Sequence, residues 1–255
     1  MPLELVTVPC LTDNYAYLLH DRATGATALI DAPEAAPILA ALKLRGWGLA
    51  EIFITHHHSD HFDGVAELVA ATGARVTGAA ADSHRLPPLD QAVAPGEAIT
   101  IAGAPAAVLD VPGHTVGHVA FHLAGEKLAF TADSLMALGC GRLMEGTAAQ
   151  MWASLCQLSA LDPATLICSG HEYSAANARF ALTIEPGNPA LAARVADITA
   201  ARAAGQATVP SLLALELATN PFLRAHLPGV KSAIGMPLAD DVESFAEIRR
   251  RKDKF

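Results

Sequence analysis

Short apolar runs alternate with longer segments of mixed polarity through the first two-thirds of the chain. TALID (27–31), EIFIT (51–55), AAVLDV (106–111), KLAFTAD (127–133) and TLICSG (165–170) are apolar or β-branched and give way to Gly, Pro, Asp or His. Runs of that length bounded by turn residues predict buried strands. Helix-forming stretches lie between some of them. Residues 34–44 are rich in Ala and Leu and end near Gly46; residues 64–72 end at Gly73, a residue suited to the turn after a helix. Residues 147–158 open with Thr147 and Gln150, the spacing of a capping box.

After about Ser174 the texture changes. Alanine dominates (AANARFAL, ALAARVADITAARAAG), strand signals fade, and Pro186, Pro189, Pro210 and Pro221 interrupt the helix-forming stretches. The expected organisation is therefore an α/β (α+β) domain over residues 1–174 and a helical domain over 175–255. No internal repeat is present, and the alanine-rich stretches are helix formers rather than linkers.

Composition narrows the function. A chain of 255 residues buries roughly 70–75% of its unfolded surface and needs no covalent staples. The four cysteines (Cys10, Cys140, Cys156, Cys168) form no CxxC pair, which argues against a disulfide framework or a zinc ribbon, and none lies near a convincing base. The first residues, MPLELVTVPC, lack a basic stretch followed by an apolar run, so no secretory signal is expected. No run approaches the ~18 apolar residues of a membrane span. A formal charge of −9 disfavours nucleic acid and anionic membrane as partners. The expectation is a cytoplasmic, monomeric enzyme of a small molecule. The charge is uneven: residues 245–255 hold five basic side chains (Arg249, Arg250, Arg251, Lys252, Lys254) against Glu247 and Asp253.

The segment Thr55-His56-His57-His58-Ser59-Asp60-His61 follows the strand EIFIT. Four histidines and an aspartate in one loop are poorly explained by packing. In extended chain His56 and His58 share a side and His57 points away, toward packing or a supporting contact. Asp60 and His61 follow in the turn and can present a second face. Imidazole and carboxylate donors suit zinc, and also iron or manganese.

Two donors per cation are too few, and the ends of other strands supply the remainder. AAVLDV runs into His114, KLAFTA into Asp133 and TLICSG into His171. Open α/β folds bind ligands just beyond the carboxyl ends of strands. With Asp133 shared, His56, His58, His114 and Asp133 make one site, and Asp60, His61, His171 and Asp133 make another. Two such cations ~3.5–4 Å apart would share a hydroxide and polarise a carbonyl. Asp60 and Asp133 are accordingly the catalytic carboxylates. His118 reads as a supporting or core residue, and His20, His84, His122 and His226 as isolated.

THHHSDH followed by PGHT, FTAD and SGHEY resembles the metallo-β-lactamase superfamily, whose hallmark is HxHxDH. Within it the chain is most similar to the hydroxyacylglutathione hydrolases (glyoxalase II). The segments that carry this are TDNYAYLL (12–19), GCGRLMEGTAAQM (139–151), HEYSAANARFALTIEPGN (171–188), VPSLLALELATNPFLR (209–224) and IRRRKDKF (248–255). The resemblance implies an αββα sandwich followed by a helical glutathione-binding domain, two divalent metal ions (zinc first, with iron or manganese also suited), and hydrolysis of S-D-lactoylglutathione to glutathione and D-lactate, the second step of methylglyoxal detoxification. It assigns the same seven ligands, and places glutathione contacts at Arg142, Leu143, Met144, Tyr173, Arg249 and Lys252. Cations there would hold the two carboxylates of glutathione against an acidic background. Three positions depart from the family pattern: Met144 stands where an aromatic residue is usual, Ser59 where one is often aromatic or small, and Ala132 where Gly is usual.

Other reactions fit part of this pattern. A glutathione persulfide dioxygenase would use a single iron on the same fold without the helical tail. A lactonase fits the tail poorly, and an RNA-processing nuclease fits the charge poorly. A non-catalytic metal-binding protein would favour closed, cysteine-rich sites, which this ligand set is not.

Overall fold

Each of the five apolar runs contains a strand, trimmed by one or two residues where the turn begins. The computed structural model describes residues 3–255; Met1 and Pro2, with which the expected first domain begins, lie outside the described residues. The chain divides into two compact units. One runs to Asp110 and includes Gly117–Ala132; the other comprises Val111–Val116 and Asp133–Phe255.

The first unit opens with β1 (Glu4–Cys10), β2 (Asn14–His20) and β3 (Thr27–Ile30), then α1 (Ala35–Arg45), β4 (Glu51–Ile54), α2 (Val65–Thr72), β5 (Arg75–Ala79) and β6 (Gln91–Val93). These six strands form one sheet in chain order, antiparallel through β3 and parallel from β3 to β6. A second, antiparallel run follows: β7 (Ala98–Ile101), β8 (Ala104–Asp110), β9 (Val119–Leu123) and β10 (Leu128–Ala132). Period-two alternation decides what each face of the first sheet meets. Leu18, Leu29, Ile52 and Ile54 pack with Ile38 and Leu42 of α1 and Leu68 of α2. Their neighbours Tyr17 and Phe53 turn the other way and meet Phe130 and Phe121 edge-on, with centroids 5.6 and 5.5 Å apart. The result is a helix layer, a sheet and a second sheet, with β4 at the centre of the first sheet. Both helices end as their glycines dictate: Gly46 and Gly73 adopt φ of 67° and 73°, the left-handed region that closes a helix at little cost.

The second unit begins with a two-residue ribbon, β11 (Leu135–Met136) and β12 (Gly139–Cys140), and continues with α3 (Ala148–Ser159), β13 (Leu166–Ser169), α4 (Ser174–Ile184), α5 (Pro189–Ala203), β14 (Ser211–Leu212), α6 (Leu213–Thr219), α7 (Pro228–Ala233) and α8 (Asp241–Lys254). The capping box at Thr147 forms in both directions: Gln150 N–H donates to Thr147 Oγ1, and Thr147 N–H donates to Gln150 Oε1. A cap of this kind is worth about 1 kcal/mol. α8 has a second one, between Asp240 and Glu243. Leu138, Ala178, Ala181, Leu191 and Ile198 form a core between α4 and α5. Phe222 joins Phe180 and Phe245, tying α4 to α8.

Buried polar groups lock the ribbon in place. Glu216 Oε2 accepts from Leu138 N–H at 2.8 Å and from Asn220 Nδ2 at 3.2 Å. Asn220 Nδ2 also donates to the carbonyls of Met136 and Gly139, and Asn177 Nδ2 to that of Ala137. Glu216 is paired with Arg194 and accepts from Ser211 Oγ; all three are buried. Leu138 N–H and the carbonyls of Met136, Ala137 and Gly139 therefore all find buried side-chain partners. Among the described residues no helix is long and apolar enough to cross a membrane.

Candidate active site

In the first unit the chain leaves β4 at Ile54, bends at His56 and His57, and closes a single 3-10 turn over Ser59–His61. The expected alternation holds: His56 Nε2 lies 3.1 Å from His58 Nδ1, while His57 Nδ1 is turned to Asp82 Oδ2 at 3.0 Å. His118, fully buried, stacks on His56 with centroids 4.6 Å apart. His61 Nε2 lies 3.9 Å from Asp60 Oδ2.

The tautomers of this loop follow from Asp31. Its carboxylate accepts from Thr55 N–H, Thr55 Oγ1 and His61 Nδ1, all at 2.9 Å. A carboxylate only accepts, so His61 carries a proton on Nδ1 and, in the neutral ring, a lone pair on Nε2. Thr55 Oγ1 has given its one proton to Asp31, so it can only accept from His56 Nδ1, 3.0 Å away. In the neutral ring His56 therefore keeps its lone pair on Nε2, the atom that faces His58 Nδ1. Asn14 Nδ2 donates to the carbonyl oxygen and to Oδ2 of Asp60, at 2.9 and 3.0 Å, and fixes the turn.

In the second unit His114 Nε2 and His171 Nε2 lie 3.3 and 3.4 Å from the same oxygen, Asp133 Oδ2. His114 Nδ1 donates to the carbonyl of Arg142 at 2.7 Å, so in the neutral ring the lone pair lies on Nε2. A lone pair facing a carboxylate oxygen at that distance is repulsive unless a cation or proton lies between them. Imidazoles whose other nitrogen is held by a carboxylate or carbonyl are the form in which histidine ligates metals. The donor set therefore fits divalent cations. Gly141 makes the arrangement possible, since a Cβ there would sit 2.0 Å from the carbonyl oxygen of Asp133.

A cavity of about 450 Å³ in this unit has His114 and Asp133 on its wall. Arg142, Met144, Tyr173, Arg249 and Lys252 also line it; Leu143, half-buried, does not. Tyr173 stacks flat on His171 with centroids 4.6 Å apart. Arg249 is buried over the Phe222 ring and donates from Nη1 to the carbonyl of Cys140 at 2.9 Å. Lys252 Nζ lies 5.3 Å from the ring centroids of Phe180 and Phe255. Burial, reinforced by Arg249 and Arg179 and opposed by Asp253, pushes its ammonium down to about 8. Arg250 and Arg251 instead pair with Glu247, holding that carboxyl down at about 2. Burial raises the thiols of Cys10 and Cys140 to about 12 and 11 and that of Cys168 further, which leaves them unreactive.

Residues 12–171 match the family model described as Metallo-beta-lactamase superfamily, and residues 172–255 the one described as Hydroxyacylglutathione hydrolase C-terminus. A hydroxyacylglutathione hydrolase of Cereibacter sphaeroides is 64% identical over 255 residues, the full length of both chains. The chain belongs to the hydroxyacylglutathione hydrolase family. Another member, from Jannaschia sp., is 65% identical over 99% of this chain and 98% of its own. Among solved structures, BLEG-1 B3 metallo-beta-lactamase superposes with a TM-score of 0.68 at 19% identity, over 86% of this chain and 99% of that one. TTHA1623 in a di-iron-bound form gives 0.57 at 28%, over 66% and 91%. The fold is that of the metallo-β-lactamases, followed by the C-terminal domain of hydroxyacylglutathione hydrolases. Relatives named for a hydrolase over the full length do not favour the persulfide dioxygenase reading.

Sequence reasoning missed Asp31, Asn14 and Asp82, which hold the histidine loop. Asp31 had a visible signal. It ends the run TALID as Asp133 ends KLAFTAD, and its backbone lies at φ 55°, where aspartate is better tolerated than most residues.

Proposed function

We propose that the chain hydrolyses S-D-lactoylglutathione, and similar S-2-hydroxyacylglutathiones, to glutathione and the hydroxy acid, as the second step of methylglyoxal detoxification. The observation that carries this reading is one cavity whose wall holds Asp133 and His114 together with Arg142, Arg249 and Lys252, with His171 meeting the same Asp133 oxygen from behind Tyr173. A thioester carbonyl attached to a peptide with two carboxylates needs both kinds of group.

In this reading His56, His58, His114 and Asp133 hold one divalent cation, and Asp60, His61, His171 and Asp133 hold a second, zinc being preferred and iron or manganese suited. Bound there, the cations would polarise the thioester carbonyl and bring the pKa of water into the neutral range. Asp133 would be common to both ligand sets, and Asp60, steadied by Asn14, would orient the attacking water. The chain's own donors do the remaining work. Lys252, Arg142 and the NH groups left to Arg249 take the carboxylates of glutathione, and Tyr173 donates to its backbone. Leu143 and Met144 belong to the segment beside it; Met144 contributes contact area without a hydroxyl. The leaving thiolate has an ordinary pKa near 8.5, so no strong acid is required of the protein.

The domain assignment follows the same reading: catalysis on residues 1–174 and glutathione binding on 175–255, in a cytoplasmic monomer. The unpaired, buried Cys10, Cys140 and Cys168 fit the reducing compartment of that reading. The test is D-lactate release from S-D-lactoylglutathione by the purified protein, before and after chelation. Release that stops on chelation and returns with added zinc, iron or manganese is expected. No release from the metal-replete protein, or release indifferent to chelation, would contradict the proposal.

A further inference from the structure

The fork of Arg249 is already occupied. Its Nε and Nη2 donate to Asp253 Oδ1 at 3.1 and 2.8 Å, and its Nη1 to the carbonyl of Cys140 at 2.9 Å. The same Asp253 oxygen lies 3.6 Å from Arg142 Nε. One carboxylate oxygen thus stands between two guanidinium groups that belong to distant parts of the chain. The two partners differ in freedom: the Arg249 side chain is 8% exposed, that of Arg142 65%.

We propose that Asp253 is a positioning residue of the anion pocket, fixing Arg249 and Arg142 so that these cations and Lys252 meet a carboxylate of the peptide at a set place. The inference rests on the glutathione reading above. A free arginine side chain loses considerable rotamer freedom when it grips a ligand; one held beforehand does not. Asp253 supplies that restraint to Arg249 through two of its nitrogens, and gives the exposed Arg142 a weaker tether at 3.6 Å. It also offsets charge. Three cations crowd the pocket, and Lys252 is faced by Arg249 and Asp253 from α8, Arg179 from α4, and the carbonyl of Ala176, while Arg142 reaches this group through Asp253. Without the carboxylate, Arg249 and Arg179 would act on Lys252 unopposed, and its ammonium would lose its proton at lower pH.

A second effect opposes the first: deleting an anion makes the pocket more positive. For the exposed Arg142 that gain is screened by solvent, whereas the buried Arg249 loses its only carboxylate partner among the described residues. Positioning therefore outweighs the added charge.

The test measures binding of an S-alkylglutathione, which has no thioester to cleave, across pH 6 to 9.5 for the metal-loaded wild type, D253N and D253A. Asparagine keeps the shape and one acceptor but not the charge, so it reports even if alanine fails to fold. Both variants are expected to bind about tenfold more weakly at neutral pH, the scale of one charge-assisted contact. In both, the alkaline loss of affinity should begin at lower pH than in the wild type, a displacement that a packing role would not cause. With the thioester substrate, KM should rise more than kcat falls. D253N binding as tightly as the wild type, or more weakly with its alkaline limb unmoved, would overturn the proposal. A wild type that binds the S-alkylglutathione without cleaving the thioester would instead remove the hydrolytic reading and leave Asp253 judged by binding alone.

Discussion

His61 Nδ1 donates to Asp31 Oδ2 at 2.9 Å, and both side chains are buried. This bond fixes which nitrogen of His61 is turned toward Asp60, and through Thr55 the same carboxylate fixes His56. Asp31→Ala should therefore release two imidazoles from their required tautomer. Loss of such a supporting partner typically costs about 10–100-fold in metal affinity or activity. Elemental analysis of D31A at limiting metal should give less bound metal than wild type. Equal content and equal turnover would show that the loop holds its form without Asp31.

Ala132 precedes Asp133 with φ of 39°, in the left-handed region that favours glycine. This gives physical meaning to a departure visible in the sequence, where Gly is usual in the family. An L-residue there costs roughly 1–2 kcal/mol, while glycine costs roughly 0.5–1 kcal/mol in chain entropy. Ala132→Gly should accordingly raise stability slightly, by about 0.5–1 kcal/mol. A denaturant midpoint that does not move upward would contradict this.

Glu216 is fully buried, paired with Arg194, and accepts from Leu138 N–H, Ser211 and Asn220. Removing one partner of a buried pair leaves the other charged and uncompensated, which costs about 3–5 kcal/mol. Glu216→Ala should show that loss in urea unfolding. It should also loosen the ribbon between Asp133 and Arg142, so the remaining folded protein should have a raised KM.

Lys252 gives opposite pH trends for binding and for folding. Its folded pKa of about 8 lies below the ordinary 10.5. As pH rises through 8 the pocket loses a cation, so kcat/KM for the anionic substrate should fall. Between those two values the unfolded chain binds more protons than the folded one, so this group makes stability rise with pH over the same window. Lys252→Arg should push the fall in kcat/KM to higher pH. A profile flat through pH 9 in the wild type would place the cation's role elsewhere.

What the sequence disclosed follows from how local each signal is. His56, His58, Asp60 and His61 sit within six residues, and His114, Asp133 and His171 each end an apolar run, so motif and strand position were enough to find them. The turn at Thr147 was legible because a capping box is a three-residue spacing. The N-terminal hairpin was missed because β2 is buried over almost its whole length and lacks alternation. β5, β6 and β7 are short and built largely of small or polar residues. The links from Asp31 to His61, from Arg194 to Glu216 and from Asp253 to Arg142 join positions 22 to 111 residues apart. No pattern in a single sequence marks those pairs. The four-residue spacing of Arg249 and Asp253 on a helix was the one readable clue to the last of them.

The proposed sharing of Asp133 between two cations ties metal content to turnover, and both can be counted in the same samples of wild type and Asp133→Ala. Two ions per wild-type chain, at most one in D133A, and loss of nearly all D-lactate release are expected. D133A retaining two ions and wild-type turnover would contradict that sharing.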